Sequence, residues 1–256
     1  MSKPSQNHPD QWTCNLNFAR FRCKLIKTAM CTTTLIMVFF LYLAGCSGES
    51  ASNDAAPKTA AVKQTTRETI VAVGDSLTAG LGVDESVAYP AQLQRKLAGD
   101  GYYFNVVNAG VSGETSSGAL SRIDWVISAL KPDIIILETG ANDGLRGVDP
   151  DVLRKNLDRI VSIIKANNIA VILCGMKMLP NLGPVFTRAF TDIYPEITQK
   201  HAIPLIPFFL EGVAGDPQYN QPDRLHPTAE GYRRIVDHIY PYVLTAIKNL
   251  PGDPPP

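Results

Sequence analysis

Hydrophobic and polar residues follow two alternating patterns from residue 69 onward. Short runs rich in β-branched residues recur about every thirty residues, and the stretches between them place apolar residues at helical spacing. One run, Ile134 to Leu137, is apolar at consecutive positions, as in a strand that is buried on both faces. The alternation of these short runs with helical stretches predicts repeated βα units around a central parallel sheet. The predicted strands are Thr69–Val73, Phe104–Asn108, Asp133–Glu138, Ala170–Cys174 and Pro204–Pro207.

The stretches between the predicted strands carry apolar stripes that face a core. Right-handed crossovers place such helices on both faces of a parallel sheet, so we expect a three-layer α/β/α sandwich with a mainly five-stranded, flavodoxin-like sheet. A last helix is predicted to start at Pro227, a favoured first helical residue, and to run to about Lys248, with Pro241 kinking or interrupting it. The stripes consist of Leu93 and Leu97; Leu120, Ile123, Ile127 and Leu130; and Leu153, Leu157, Ile160, Val161 and Ile164.

The first 45 residues have the plan of a secretory signal peptide, in which basic residues precede an uncharged apolar stretch. That stretch runs from Ala29 to Gly45 and ends in Leu-Ala-Gly directly before Cys46, an order that resembles the cleavage box of bacterial lipoproteins. The resemblance implies removal of residues 1–45 and acylation of Cys46. The alternative is an uncleaved single-span anchor, for which the stretch is slightly short of the ~20 residues required. The basic residues before it are Arg20, Arg22, Lys24 and Lys27.

The chain after the predicted cleavage site divides into three parts. Residues 46–67 are mostly Ala, Ser, Thr, Asn and Lys, which cannot build a core and predict a flexible tether. Residues 68–250 hold all the predicted strands and helices and are expected to form one domain, whereas the proline-rich residues 251–256 predict a disordered tail. Because two acyl chains hold a protein stably on a bilayer, we expect a lipid-anchored protein of the bacterial cell envelope, at the outer membrane facing the periplasm.

Composition narrows the function classes. The 256 residues are 45% hydrophobic and 19% charged, which is ordinary for a globular domain. Because 24 Lys and Arg balance 24 Asp and Glu, no basic field is available for nucleic acid, and small-molecule chemistry is the default. Processing would leave Cys174 as the one unmodified cysteine, and its apolar run predicts a small buried side chain rather than a reactive thiol. No motif implies a metal or an organic cofactor.

Polar residues follow three of the predicted strands at the point where each strand ends. Strand one leads to Gly74-Asp75-Ser76, strand two to a glycine-rich segment with Gly113, and strand three to a segment with Asn142. Near the far end of the chain, Asp223 precedes His226 by three residues in a tight turn. Ligands of open parallel sheets bind beyond the carboxyl ends of the strands, so we expect these groups to converge there.

These residue types suit acyl transfer. A serine hydroxyl is a weak nucleophile until an imidazole removes its proton, and the imidazole needs an acceptor on its other nitrogen. Ser76, His226 and Asp223 fit those roles. The tetrahedral intermediate also needs donors for its oxyanion, which the backbone amides of Ser76 and Gly113 and the side-chain amide of Asn142 can supply.

Four blocks resemble those of the GDSL, or SGNH, hydrolase family over about residues 69–248: Gly74-Asp75-Ser76-Leu77, Gly113, Gly-Ala-Asn142-Asp143 and Asp223-x-x-His226. Residues 142–147 and 180–183 make the chain most similar to the branch that contains bacterial arylesterase and acyl-CoA thioesterase I, also called lysophospholipase L1. The resemblance implies that Ser76 is the nucleophile of a triad with Asp223 and His226. It also implies an oxyanion hole formed by Ser76, Gly113 and Asn142, and a hydrolase that needs no cofactor.

The same branch implies that the loops after strands three and four bind the substrate, with Leu145, Arg146, Pro180 and Leu182 as candidate contacts. The chain has Leu179-Pro180 where the branch often has two successive prolines, which bears on the shape of the acyl pocket. The expected substrates are small acyl esters or lipids, namely aryl esters, short- to medium-chain acyl esters, thioesters or lysophospholipids.

Other polar residues near these blocks are expected to have structural roles. Asp75 anchors its loop by hydrogen bonds, and Glu114 is a surface charge. Asp143 either supports the Asn142 loop or is solvated, and Arg146 either contacts a polar part of the substrate or is an exposed loop arginine. The remaining histidines of the domain are expected to be surface or structural residues, and they are His201 and His238.

Competing functions differ in the motifs that they require. An α/β-hydrolase places its nucleophile in Gly-x-Ser-x-Gly, whereas the residue two positions after Ser76 is Thr78. A nucleotide-binding module of doubly wound fold requires a phosphate-binding loop or a complete Gly-x-Gly-x-x-Gly, and the chain has neither. Two alternatives stay open at this point. They are an O-acetylesterase that acts on cell-envelope polysaccharide and a non-catalytic protein that binds acyl ligands.

Replacing Cys46 with Ser removes the thiol that the predicted lipidation requires. We expect Cys46→Ser to release the protein from membranes, because the acyl chains supply the free energy of membrane binding. Sedimentation of membranes, with the protein quantified in pellet and supernatant, measures the effect. Cys174→Ser is the matched control and should sediment as the wild type does. An unchanged pellet fraction for Cys46→Ser would favour the uncleaved anchor.

Overall fold

The computed structural model describes residues 68–178 and 180–251 of the chain. The predicted signal peptide and Cys46 lie outside these residues, as do the tether up to residue 67, Leu179, the side chain of Pro180 and the predicted tail from residue 252. Within the described part, no helix combines the length and the apolar character needed to cross a bilayer.

The core of the domain is one sheet of five parallel strands in the order β2-β1-β3-β4-β5. The strands are β1 (Thr69–Gly74), β2 (Asn105–Gly110), β3 (Ile134–Glu138), β4 (Ala170–Cys174) and β5 (Leu205–Ile206). The apolar residues Ile134 to Leu137 of β3 are all buried, as their consecutive positions predict, and the terminal Glu138 is buried with them. The predicted number of strands and their parallel arrangement are confirmed.

Four strands differ from their predicted bounds. β1 continues one residue further, to Gly74, and β3 starts one residue later, at Ile134. β2 starts one residue later than predicted and continues to Gly110, because its pairing with β1 extends as far as Gly74 opposite Gly110. β5 is only two residues long, since it lies between two prolines that have no N–H to donate. Pro204 still takes part in the sheet as an acceptor, through its carbonyl oxygen and the N–H of Leu173 at 3.0 Å.

Helices form the two outer layers. They are α1 (Ser76–Ala79), α2 (Tyr89–Gly99), α3 (Ser116–Leu130), α4 (Ala141–Leu145), α5 (Pro150–Ala166), α6 (Gly183–His201) and α7 (Ala229–Lys248), with 3₁₀ turns at Glu85–Val87 and Pro180–Leu182. α2 packs against α7, and α5 packs between α3 and α6. The three-layer α/β/α sandwich predicted from the sequence is therefore confirmed.

The last two long helices correct the sequence analysis. α6 was not predicted, although Phe190, Ile193 and Ile197 keep helical spacing, because Pro195 inside it resembles a helix breaker. α7 begins at Ala229 rather than at Pro227, because the Thr228 hydroxyl caps the helix by accepting from the N–H of Gly231 at 3.2 Å.

Pro241 does not interrupt α7, which is continuous from Ala229 to Lys248. A proline removes one backbone hydrogen bond, whereas the buried stripe of α7 on both sides of Pro241 gains the free energy of apolar burial. That stripe consists of Tyr232, Ile235, Val236, Ile239, Tyr240, Val243, Ala246 and Ile247.

The strand order reverses at β1, because the chain crosses from β1 to β2 on one side and then to β3 on the other. In open parallel sheets this switch point, at the carboxyl ends of the strands, forms the ligand-binding crevice. Ser76 follows β1 directly and so lies at the switch point.

The close approach of α1 to β2 gives a test of this packing. A Cβ at Gly110 would lie 2.2 Å from the backbone nitrogen of Ala79, so Gly110→Ala must push the α1 backbone away. We expect Gly110→Ala to lower the free energy of unfolding by about 1–3 kcal/mol. Urea unfolding followed by circular dichroism measures the loss. Gly99→Ala is the matched control, since a Cβ at Gly99 meets no atom within 4 Å. Equal midpoints for the two variants would contradict the packing described here.

Candidate active site

Ser76 occupies the first position of α1, immediately beyond the carboxyl end of β1. Asp75 caps this short helix, because its Oδ1 accepts from the N–H of Leu77 at 2.9 Å. Asp75 is almost completely buried, which agrees with its predicted role as the anchor of the loop. The cap orients the first turn of α1 and holds Ser76 at the switch point.

The structure brings Ser76, His226 and Asp223 together although 150 residues separate Ser76 from His226. Ser76 Oγ lies 2.9 Å from His226 Nε2, and His226 Nδ1 lies 2.6 Å from Asp223 Oδ2. A carboxylate beside Nδ1 requires a proton on that nitrogen, which leaves Nε2 free to accept the proton of the serine hydroxyl. This is the arrangement that the sequence analysis predicts for a nucleophile, a base and an orienting acid.

The turn from Asp223 to His226 is held by its own hydrogen bonds. Asp223 Oδ1 accepts from the backbone N–H of Leu225 at 2.9 Å and of His226 at 3.0 Å, and Arg224 takes a left-handed φ of 60° between them. The hydrogen bond with the His226 side chain, together with these backbone donors, lowers the pKa of Asp223 to about 2. Asp223 is therefore a carboxylate at neutral pH, even though it is largely exposed.

The three predicted oxyanion donors border the same cavity. Gly113 has a φ of 79°, which a glycine adopts without strain. Within residues 68–178 and 180–251, the backbone N–H groups of Ser76 and Gly113 donate to no protein acceptor. Asn142 Nδ2 donates to Asp75 Oδ2 and to the Glu114 carbonyl oxygen, both at 3.0 Å, so its amide is held in place from two sides.

Asp143 supports this part of the site from behind. Its side chain is buried and accepts from the backbone N–H of Ser116 at 2.8 Å and from the Ser116 hydroxyl at 2.6 Å. The alternative of a solvated Asp143 is therefore wrong. The two bonds tie the segment that follows β3 to the first turn of α3 and so fix Asn142 relative to Gly113.

Glu114 is not the surface charge that we expected. Its side chain is largely buried and pairs with Arg122 through two contacts of 2.7 Å. Arg122 lies eight residues further along the chain, on α3, and its guanidinium packs against the loop that contains Glu114. The same guanidinium donates to the Gly74 carbonyl oxygen at 3.4 Å. The pair stabilises the loop whose Glu114 carbonyl accepts from Asn142.

The predicted substrate-binding residues divide into two groups. Leu145 is 54% exposed and lines the cavity. Arg146 and Leu182 do not belong to the cavity lining, and Arg146 instead donates to the Gly113 carbonyl oxygen at 2.7 Å. Arg146 therefore holds the peptide group that follows Gly113, next to the Gly113 N–H that is a candidate oxyanion donor. The side chain of Pro180 lies outside the described residues.

The cavity has a volume of about 500 Å³, and most of its lining beyond the polar groups above is apolar. Two cationic side chains, Lys177 and Arg224, also border it. The apolar lining comes from the loops after β1, β3, β4 and β5 and from the turn before His226, and it includes Leu77, Leu81, Met176, Met178, Phe208, Leu210 and Leu225. The sequence analysis missed Met176, Met178, Phe208 and Leu210, although their positions after two predicted strands indicate the same edge of the sheet.

Three further side chains lie away from this chemistry. His201 Nε2 contacts Asp158 at 2.7 Å, and His238 Nε2 contacts the Phe208 carbonyl oxygen at 3.0 Å, so both have the structural roles expected. Cys174 is fully buried, as its apolar run predicts. In the part of the chain that the structure covers, no cluster of three or more His, Cys, Asp or Glu side chains is placed to hold a metal ion.

Comparison with known proteins agrees with this geometry. Esterase TesA of Pseudomonas aeruginosa is 38% identical over 179 residues, which are 70% of this chain and 89% of that protein. Thioesterase 1/protease 1/lysophospholipase L1 of Escherichia coli is 36% identical over 170 residues, which are 66% and 80% of the two chains.

The solved structure of the psychrotrophic esterase EstA from Pseudoalteromonas sp., inhibited by monoethylphosphonate, is similar with a TM-score of 0.68 at 32% identity. The similarity covers 71% of this chain and 100% of that chain. The family model described as GDSL-like Lipase/Acylhydrolase matches residues 72–234, which include all the groups of the site. The chain therefore belongs to the GDSL-like lipase/acylhydrolase family.

Proposed function

We propose that the protein is a serine esterase that hydrolyses carboxylic esters and thioesters through an acyl-enzyme on Ser76. The observation that carries this proposal is the relay of hydrogen bonds from Ser76 Oγ through His226 to Asp223, at 2.9 and 2.6 Å, on the wall of an apolar cavity. The names of the relatives, esterase, thioesterase and lysophospholipase, support ester hydrolysis.

The geometry suits a two-step acyl transfer. His226 Nε2 removes the proton of Ser76 Oγ as the oxygen attacks the substrate carbonyl carbon, and ionised Asp223 stabilises the imidazolium that forms. His226 then donates this proton to the departing alcohol or thiol. Water hydrolyses the acyl-enzyme with His226 again as the base, and the serine is restored.

The negative charge on the former carbonyl oxygen is stabilised by three donors. The N–H groups of Ser76 and Gly113 are available to it. Both N–H hydrogens of the Asn142 amide are engaged, by Asp75 and by the Glu114 carbonyl oxygen, so Asn142 donates to the oxyanion by exchanging one of these bonds. The two backbone donors are already oriented and do not have to reorganise as charge develops, and one such donor contributes about 3 kcal/mol in comparable enzymes.

The cavity supports acyl groups larger than acetyl. An acetyl group occupies only a small part of about 500 Å³, whereas an apolar chain gains about 0.8 kcal/mol for each methylene that it buries. We therefore favour aryl esters, short- to medium-chain acyl esters and lysophospholipids over the O-acetyl groups of a cell-envelope polysaccharide. The lipoprotein-like segment before Cys46 supports a location at the cell envelope, and membranes are a source of lysophospholipid substrates.

Removing the nucleophile or the base of the proton relay tests the mechanism. Ser76→Ala and His226→Ala should each lower kcat on the order of 10⁴-fold or more, because the triad acts as a unit. Hydrolysis of a p-nitrophenyl ester measures kcat, and circular dichroism establishes that both variants are folded. The matched control is His238→Ala, which removes a histidine outside the relay. Retention of most activity by either relay variant would overturn the assignment.

The same variants distinguish an enzyme from a non-catalytic acyl-binding protein. A fluorophosphonate probe should label the wild type and not Ser76→Ala, since only an activated serine attacks phosphorus. A folded wild type that stays unlabelled would remove the enzyme from consideration and leave the binding protein.

A series of p-nitrophenyl esters from acetyl to palmitoyl tests the acyl group. We expect kcat/KM to rise with chain length beyond acetyl as methylenes fill the apolar cavity, with Ser76→Ala measured in parallel as the blank. A steep profile restricted to acetyl would contradict a lipid substrate and favour the O-acetylesterase.

A further inference from the structure

Glu138 is the last residue of β3, and it is fully buried beneath the loop that carries Ser76. Its Oε2 accepts from the Thr78 hydroxyl at 2.8 Å and from the Asp75 N–H at 3.3 Å. Gly74 makes this approach possible, because a Cβ at that position would lie 2.5 Å from Glu138 Oε2. The carboxyl group of Glu138 therefore contacts the nucleophile loop on the side that faces the core.

No positive charge compensates this carboxyl group. Within the described residues, neither Glu138 nor Asp75 takes part in an ion pair, and Glu138 Oε1 has no hydrogen-bond partner at all. The titratable groups whose charges interact with that of Glu138 are acids on the neighbouring elements, and a negative charge on any of them disfavours a negative charge on Glu138. They are Asp75 before α1, Cys174 on β4, Tyr89 on α2, Tyr194 on α6 and Tyr232 on α7.

Two adjacent buried carboxyl groups cannot both ionise without a large free-energy cost. Burial, followed by the charge of Asp75, raises the pKa of Glu138 well above its usual range. Burial also raises the pKa of Asp75, but hydrogen bonds from Leu77 and Asn142 and the proximity of His226 act in the opposite direction. Glu138 therefore holds a proton more strongly than Asp75, whose two oxygens accept from the Leu77 N–H and the Asn142 amide.

We propose that Glu138 is a positioning residue that carries a proton in the active enzyme and supports the nucleophile loop as a neutral acid. The assignment rests on the esterase function proposed above, because its consequence is the orientation of the oxyanion donor Asn142. Glu138 Oε2 accepts from the Thr78 hydroxyl and from the Asp75 N–H, and so contacts the nucleophile loop on both sides of Ser76. Asp75 in turn holds the Leu77 N–H with Oδ1 and the Asn142 amide with Oδ2.

A neutral Glu138 serves catalysis in a way that an ionised one does not. When neutral, it accepts from Thr78 and from the Asp75 N–H without repelling the Asp75 carboxylate, whose two oxygens accept from Leu77 and Asn142. An ionised Glu138 would repel Asp75 and add a second uncompensated charge beneath the site where the oxyanion forms. The proton thus keeps the region below the oxyanion hole at a single negative charge.

Two substitutions separate this role from a requirement for charge. Glu138→Gln mimics the protonated acid and should keep kcat within about threefold of the wild type. Glu138→Leu leaves the Thr78 hydroxyl and the Asp75 N–H without an acceptor, so it should lower kcat by about 10- to 100-fold with little change in KM. If kcat falls as far in Glu138→Gln as in Glu138→Leu, the charge is required and the proposal is wrong. An unchanged kcat in Glu138→Leu would equally overturn it.

The pH profile supplies a readout that a merely structural role would not change. The acidic limb of kcat/KM should be the same in Glu138→Gln and in the wild type, because neither carries a charge at position 138. Asp75→Asn, which does remove a charge, should move that limb to lower pH. A shift of the limb in Glu138→Gln would show that residue 138 is ionised and would overturn the proposal.

Stability and infrared spectra test the proton without any use of turnover. A carboxyl group whose pKa is raised on folding favours the folded state fully below its unfolded pKa, and this contribution is lost as pH rises through the folded value. Glu138→Gln has no titrating carboxyl group at this position, so only the wild type loses this contribution as pH rises above about 4.5. The free energy of unfolding of the variant relative to that of the wild type should therefore increase over this range. A stability difference that does not change with pH would contradict the proposal.

In Ser76→Ala at neutral pH, the infrared band of a protonated carboxyl group should be present, and it should vanish when Glu138→Gln is added. This result does not depend on activity, so its failure is distinguishable from a failure of the esterase assignment. Absence of the band from Ser76→Ala would sink the proposal. If Glu138→Gln does not fold, the band can be followed in Ser76→Ala alone, where its loss at alkaline pH would show a buried carboxyl group that carries a proton at neutral pH. A carboxyl spectrum that does not change with pH would count against the proposal.

Discussion

The parallel pairing of β1 with β3 at the centre of the sheet is the constraint on which the site depends. Val73 lies opposite Leu137, so the two strands end at the same level, and the segments with Ser76 and Asn142 leave the sheet side by side. β2 pairs with the other edge of β1 and brings the loop with Gly113 to the same point. The nucleophile and the donors for its oxyanion therefore converge because adjacent parallel strands all end at one edge.

Carboxyl groups on two sides of Ser76 have opposite electrostatic environments. Asp223 is exposed, accepts three hydrogen bonds within its turn and has a pKa of about 2, which makes it a permanent negative partner for His226. Glu138 is fully buried beside Asp75, and burial raises its pKa. The same functional group can thus stabilise a charge on one side of the nucleophile and supply a neutral contact on the other.

The loops around the site are connected to one another by side-chain hydrogen bonds. Asn142 is bonded to the loops after β1 and β2, Asp143 to the start of α3, and Arg146 to the Gly113 carbonyl oxygen. Together with the Glu114–Arg122 pair, these bonds orient the donors before a substrate arrives. Orientation in advance is what gives fixed dipoles their advantage over water in stabilising a developing charge.

The sequence by itself determined the alternation of strands and helices, the parallel sheet, the triad candidates and the oxyanion candidates, because each depends on local periodicity or on a short motif after a strand. Only the tertiary structure decided which neighbours those residues have. From the sequence, Glu138 is the polar end of an apolar strand and Glu114 is a charged loop residue. In the structure, Glu138 lies in the core beneath Asp75, and Glu114 forms a buried ion pair. Thr78, which contacts Glu138, and the cavity-lining Met178 come from segments distant in the chain, and the pairing of Glu114 with Arg122 depends on how α3 packs against the loop before it. No local pattern encodes either kind of contact.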